Sequence, residues 1–308
     1  MVRVRVPATS ANLGPGLDAL GLAVDLHTTV ELDEAEGGVE IEFSGLGQGE
    51  VSLGEDNLVY RSARRIWELV GYHPPGIRMR VENRIPLARG LGSSAAAIVG
   101  GMVAANALAA TRRGGEAALG EAELLAAAAG VEGHPDNVAP ALLGGIIVAV
   151  QTGEGISYLR FLPPARIRVI VAIPEFPLAT EKARQCIPRT VPVADAVFNL
   201  GRSALLVGAL MQGRWDLLGH ACEDRLHQPY RANLVPGLED VIAAALEAGA
   251  RGAVLSGAGP SVLAIVEEGA PSAAPAVARA MSEAFLDAGV DCRTLVAGLA
   301  EQGATLEG

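Results

Sequence analysis

Apolar positions in the first half of the chain switch between two periods. Residues 2–6 alternate apolar with charged, which predicts a strand, and 19–33 and 39–43 carry further strand-like runs around an acidic, glycine-rich turn. The 57–70 stretch has a helical spacing and 77–83 returns to a strand pattern. Residues 93–110 and 121–129 read as alanine-rich helices joined by a polar connector over 112–120. A short helix over 134–142 then runs into the apolar strand 144–150. After Pro163-Pro164 the pattern resumes, with strands at 168–173, 253–256, 261–266 and 292–296 and helices at 195–211, 238–248 and 273–288. Strand–helix–strand segments in both halves, with no internal repeat, predict an α+β chain of two domains with a boundary near 151–166.

Composition narrows what such a chain can do. At 308 residues, half of them hydrophobic, it has material for a sizeable core. A net charge of −11 argues against a nucleic-acid partner. No apolar run reaches the length of a membrane span, so no membrane partner is expected, and the N-terminus lacks a signal-peptide core, which points to the cytoplasm. Cys186, Cys222 and Cys292 lack metal-site or disulfide spacing and read as reduced thiols. Of the 24 basic residues only Lys182 is a lysine, so chemistry that requires a lysine must use that one.

The stretch PLARGLGSSAAAIVGG, 86–101, looks like a phosphate loop without a lysine. Gly90 and Gly92 free the backbone, and Ser93 and Ser94 stand where a helix starts and where serine caps well. A helix N-terminus supplies N–H groups and a partial positive charge, so backbone dipoles can replace a lysine. A plain Gly-Ser connector before a packing helix is the alternative. Other clusters are open to two readings in the same way. Asn12 and Asp18 place an amide and a carboxylate at a Gly-Pro-Gly bend, which suits an ammonium group or an Asx-type turn. Glu132, His134, Asp136 and Asn137 fall within six residues, but their spacing does not suit zinc. The turn 134–136 also reads as a helix start capped by Asp136.

The whole pattern P-x-x-x-G-L-G-S-S-A-A resembles the ATP loop of the GHMP kinases, the galacto-, homoserine, mevalonate and phosphomevalonate kinases. Within that superfamily, PATSANLGPGLDALGLAVD at 7–25, VEGHPDNVAPALLGG at 131–145, TEKAR at 180–184, HQPYRANLVPG at 227–237 and SGAGPS at 256–261 resemble the blocks of homoserine kinases, in the same order and across essentially the whole chain. Walker and protein-kinase signatures are absent.

The resemblance implies a two-domain GHMP kinase fold: an ATP-binding domain like ribosomal protein S5 domain 2 over 1–160 and a ferredoxin-like domain over 161–308. It implies that Pro86, Leu87, Ala88, Arg89, Gly90, Leu91, Gly92, Ser93, Ser94, Ala95 and Ala96 hold ATP, with Asn57 near the adenosine, and that Ser94 and Glu132 hold Mg²⁺. L-homoserine would meet Asn12, Asp18, His134, Asp136, Thr180, Arg184, Arg231 and Gly257, the two arginines gripping its carboxylate through their planar forks. Asn137, with His134 and Asp136, would orient the hydroxyl for direct phosphoryl transfer from ATP without a strong base. A homodimer is expected by the same analogy. The alternatives are another small-molecule kinase of the superfamily, of mevalonate or shikimate type, or a ligand-binding protein on the same fold without catalysis.

Overall fold

The computed structural model describes every residue except 113, 115–117, 270–272 and 308; the expected connector over 112–120 lies partly outside the described residues. The chain folds around two sheets. Strand β1 (Val2–Ala11) pairs antiparallel with β2 (Leu20–Glu34), and β2 pairs with β4 (Gly76–Asn83), which lies parallel to β3 (Gly38–Gly45). The start of β2 also pairs with β5 (Ile146–Thr152), which forms a hairpin with β6 (Gly155–Phe161). The last strand, β11 (Thr305–Glu307), returns to pair with residues 3–5 of β1. The second sheet is antiparallel, ordered β10 (Cys292–Gly298), β7 (Ile167–Pro174), β9 (Val262–Glu267), β8 (Gly252–Leu255).

Helices α1 (Leu58–Val70), α2 (Ser93–Arg112), α3 (Glu121–Glu132) and α4 (Pro135–Leu143) belong to the first sheet. Helix α2 is its central support. Its small residues let backbones approach: a Cβ on Gly101 would sit 2.2 Å from the Val59 carbonyl oxygen of α1. Between the sheets' contributions the chain adds α5 (Thr180–Gln185), α6 (Val193–Gln212), α7 (Leu218–Ala221) and α8 (Gln228–Arg231). Helices α9 (Leu238–Glu247) and α10 (Ala273–Asp287) pack on each other and on the second sheet, around buried Val241, Val277, Met281 and Phe285.

The structure corrects several sequence readings. Strand β1 continues five residues past Val6, because the small residues of PATSA are buried and paired with β2, so alternation fails where the strand does not. Strands β6 and β11 and helix α5 escaped the pattern because they are short or exposed. Two helices, α2 and α6, are long and apolar enough to meet the length and composition of a membrane span, contrary to the sequence reading; α2 is mostly buried, whereas α6 leaves Val193, Val197 and Leu200 exposed. The helix starts also shift. The cap position of α2 falls on Gly92, whose carbonyl accepts from Ala96 N–H at 2.9 Å, so Ser93 opens the helix itself. Helix α4 is capped at His134, which leaves Asp136 in its first turn.

Candidate active site

The phosphate-loop candidate bends between β4 and α2 with positive φ at Ala88 (52°), Gly90 (71°) and Gly92 (65°). A side chain would fail at both glycines. The Cβ would lie 2.1 Å from the Ser256 carbonyl oxygen at position 90 and 1.8 Å from Thr9 Oγ1 at position 92. The loop is tied to its surroundings through its own carbonyls. Thr9 N–H donates to Leu91 (3.1 Å), Leu178 N–H to Ala88 (3.0 Å) and the Ser256 hydroxyl to Gly90 (2.7 Å). Arg89 fastens it further: its guanidinium donates to the carbonyls of Pro174 (2.8 Å), Leu87 (3.0 Å) and Glu175. With its carbonyls so engaged, the loop presents its N–H side and the opening turn of α2, where a helix carries unpaired donors.

Two hollows meet at Ser93 and Ser94. One, of about 440 Å³, is lined by Phe43, Ser52, Asn57, Leu58 and Leu87 among others. Asn57 caps α1 there, accepting from Val59 N–H (2.9 Å) and Tyr60 N–H (3.3 Å) while donating to the Ser52 carbonyl (2.7 Å). The other, of about 260 Å³, brings together residues from both halves of the chain. Its walls include Pro86, Ala88–Ser94, Glu132, His134, Asp136, Asn137, Asn12, Asp18, Thr180, Arg184, Arg231 and Gly257. Of the residues expected at the site, Ala95 and Ala96 line neither hollow; they are fully buried in α2.

Within the second hollow the side chains are largely paired already. Ser94 Oγ donates to Glu132 Oε1 at 2.8 Å. Burial pushes the Glu132 carboxyl above its ordinary range, only partly offset by that bond. His134 Nδ1 bonds Asp136 Oδ1. Burial alone would lower the imidazole's pKa, but the bond to Asp136 and the charges of Asp136, Glu132 and Asp18 raise it overall. Asp136 is 1% exposed, and its Oδ2 has no hydrogen-bond partner among the described residues. Ligand atoms of Asp18, His134 and Asp136 lie within 4.8 Å of one another, a compact anionic corner.

Two side chains expected to hold the ammonium and carboxylate of an amino acid satisfy each other. Arg184 donates both prongs to Asp18, at 2.9 and 2.8 Å. Burial would raise the Asp18 carboxyl, but the Arg184 pairing wins and holds it below its ordinary value. Asp18 sits at φ 56° in a bend held by Asn12, whose amide accepts from Asp18 N–H (3.1 Å) and donates to the Gly257 carbonyl (2.8 Å). Asn12 therefore works here as the Asx-type brace. Arg231, 1% exposed, donates to the carbonyls of Ala183 (3.2 Å) and Gly257 (3.0 Å) and to His227 Nδ1 (3.0 Å). Arg184 thus spends its Nη1/Nη2 end on Asp18, and Arg231 spends Nε and Nη1 on its neighbours. The 256–261 stretch is both the β8–β9 turn and a wall of the site through Gly257.

Two residues of the site were not singled out from the sequence. Thr9, fully buried on β1, donates to Asn137 Oδ1 at 2.7 Å and so fixes which end of that amide is free. His227 supports Arg231. Both lay inside quoted blocks, but their burial, which sets them apart, is visible only in the fold.

Comparisons with known proteins show the family. Residues 57–145 match the family described as GHMP kinases N terminal domain, and 206–287 match GHMP kinases C terminal. The chain is 53% identical over 309 aligned residues to the homoserine kinase of Symbiobacterium thermophilum, covering 99% of this chain and 94% of that one. It is 45% identical to the homoserine kinase of Carboxydothermus hydrogenoformans, covering 99% and 96%. Among solved structures, the homoserine kinase of Cytophaga hutchinsonii superposes with a TM-score of 0.86 at 31% identity, covering 99% of this chain and 97% of that one. A mevalonate kinase from L. major, at 15% identity and a TM-score of 0.73 with 97% and 96% covered, shares the fold.

Proposed function

The chain belongs to the homoserine kinases, within the GHMP kinase family, and from that membership we propose that it transfers the γ-phosphoryl group of ATP to the hydroxyl oxygen of L-homoserine, giving ADP and O-phospho-L-homoserine for threonine biosynthesis. The observation that carries the reading is the shared hollow, where the start of α2 and Glu132 meet a pocket holding the carboxylates of Asp18 and Asp136 and the guanidinium groups of Arg184 and Arg231. A hydroxylated amino acid is the ligand whose charges match that set.

Phosphoryl transfer is chiefly positioning and charge neutralisation. The main-chain N–H groups of 90–94 take the phosphates, and the hollow beside Asn57 takes the adenosine. Ser94 and Glu132 set two oxygens 2.8 Å apart, a hard-oxygen pair that suits Mg²⁺, which when bound offsets phosphate charge. Asp18 and the unpartnered Oδ2 of Asp136 take the ammonium group, and Arg184 and Arg231 take the carboxylate. Thr180 lies beside them at the start of α5. Thr9 occupies the amide oxygen of Asn137, which leaves the amide nitrogen for the acceptor oxygen. No strong base is assigned: His134 and Asp136 are bonded to each other and act by placing the hydroxyl. The same reading takes 1–160 and 161–308 as two domains, with β11 returning to the first sheet.

The test is ADP release measured in parallel with homoserine, mevalonate, shikimate, galactose and serine. Homoserine should lead by orders of magnitude; a preference for any other acceptor refutes the proposal. A second measurement concerns the base. If Asp136→Asn abolished turnover with homoserine affinity unchanged, and His134→Ala did nothing, a catalytic base would be required.

A further inference from the structure

His227 opens the block that carries Arg231, and it is fully buried at 0% exposure. Its ring makes two hydrogen bonds, one at Nε2 with the Gly14 carbonyl (2.7 Å) and one at Nδ1 with Arg231 Nη1 (3.0 Å). These partners fix the tautomer. A carbonyl oxygen only accepts, so Nε2 carries the hydrogen, and a guanidinium only donates, so Nδ1 presents its lone pair. The ring is therefore neutral, which agrees with the direction in which burial moves its pKa, downward. Asp224 stands 3.6 Å from Nε2, beyond hydrogen-bond reach, and its carboxylate is taken up by the N–H groups of Leu226, His227 and Gln228.

The bonds around Arg231 leave it a single free end. Nε–H goes to Ala183, and the two hydrogens of Nη1 go to His227 and Gly257, which accounts for three of the five donors of a guanidinium. Nη2 has no protein partner among the described residues, and Arg231 lines the acceptor hollow. We infer that His227 is a positioning residue for the acceptor: by accepting from Nη1 it locks the Arg231 guanidinium so that Nη2 alone meets the substrate carboxylate, with one prong. Through Gly14 it also ties that guanidinium to the 12–18 bend, which carries Asp18 into the same hollow. Two charged contacts on one small ligand are thereby held in a fixed separation. The inference rests on the reading of Arg231 as a carboxylate ligand.

Two amides divide the functions of the imidazole. His227→Asn keeps an acceptor near the Nδ1 position, whereas His227→Gln reaches toward Gly14 and leaves Nη1 without its acceptor. The expected result is a homoserine KM raised about 10–100-fold in His227→Gln, with kcat and the ATP KM within about threefold of wild type, and a KM raised only severalfold in His227→Asn. In the double variant His227→Gln/Arg231→Gln the homoserine KM should be no worse than in Arg231→Gln alone. A residue that served only stability would lower the melting temperature without singling out the homoserine KM. If Arg231→Gln raises the KM while His227→Gln leaves it within twofold, or if the two effects simply add, the inference fails and the acceptor reading stands. If Arg231→Gln leaves the homoserine KM unchanged, the reading of Arg231 itself fails. Should His227→Gln not fold, the same additivity measurement with His227→Leu, which also removes the acceptor, decides the matter.

Discussion

The nucleotide side of the cleft is made of main chain, and the acceptor side is made of charged side chains. On the first, as proposed, glycines at positive φ and the start of α2 face the phosphates, and side chains such as Arg89 and Ser256 brace the loop by fixing carbonyls. On the second, Asp18, Asp136, Arg184 and Arg231 come from four separate segments and line one hollow with their side chains. Main-chain donors are removed only by proline and otherwise can only be displaced, so most substitutions on the first side act by steric damage. The second fails one charge at a time, and its failures are selective for one substrate.

That difference can be broken or sharpened in five ways, from the largest effect to the smallest. Gly92→Val places a branched side chain at φ 65° with its Cβ on Thr9 Oγ1. It should cut kcat/KM by at least about 100-fold and lower the melting temperature; a variant with the ATP KM of wild type would refute the main-chain account. Arg184→Gln should raise the homoserine KM about 10–100-fold and leave the ATP KM nearly unchanged, as steady-state kinetics at saturating partner substrate would show. Asp18→Asn should do the same for homoserine, but it also frees the Arg184 fork. Its loss against the hydroxy acid that lacks the amine should therefore be smaller by about fivefold or more, and equal losses for both acceptors would show that the Asp18–Arg184 pair does not discriminate.

Ser94→Ala comes fourth, with kcat reduced about tenfold and more Mg²⁺ needed for half-maximal activity. The smallest effect is on pH-dependent stability. His134 has its pKa raised in the fold, so its protonated form is the stabilised one. The contribution is fully present below the ordinary value near 6.5 and is lost as the pH rises through the raised folded value. The difference in melting temperature between wild type and His134→Gln should be larger at pH 5.5 than at pH 8.5. The reverse trend would mean that His134 is held neutral.

The same contrast explains what the sequence could reveal. The nucleotide side is local: Gly90, Gly92 and the alanine-rich run after them sit in one stretch, and each has a backbone reason for its place. The acceptor side is assembled across the fold, since Asp18 and Arg184 lie 166 residues apart and His227 and Gly14 lie 213 apart. No periodicity announces such pairs. Similarity of whole blocks supplied the residues, but not the fact that Asp18 and Arg184 already neutralise each other, nor that the Arg231 fork is mostly spent on Ala183, His227 and Gly257. In the fold, long elements such as α2 and β4 were legible from their patterns. The exposed hairpin strand β6 and the six-residue α5 were not, because neither has an apolar period long enough to stand out.

Helix α5 carries one more consequence. Lys182, the chain's single lysine, is exposed on it, between Thr180 and Arg184. Apart from the terminal amine, an amine-directed dye or crosslinker therefore has one address on the whole molecule, two residues from each of these two acceptor-side groups. A label placed there would report on the approach and departure of the amino acid without any engineered attachment point.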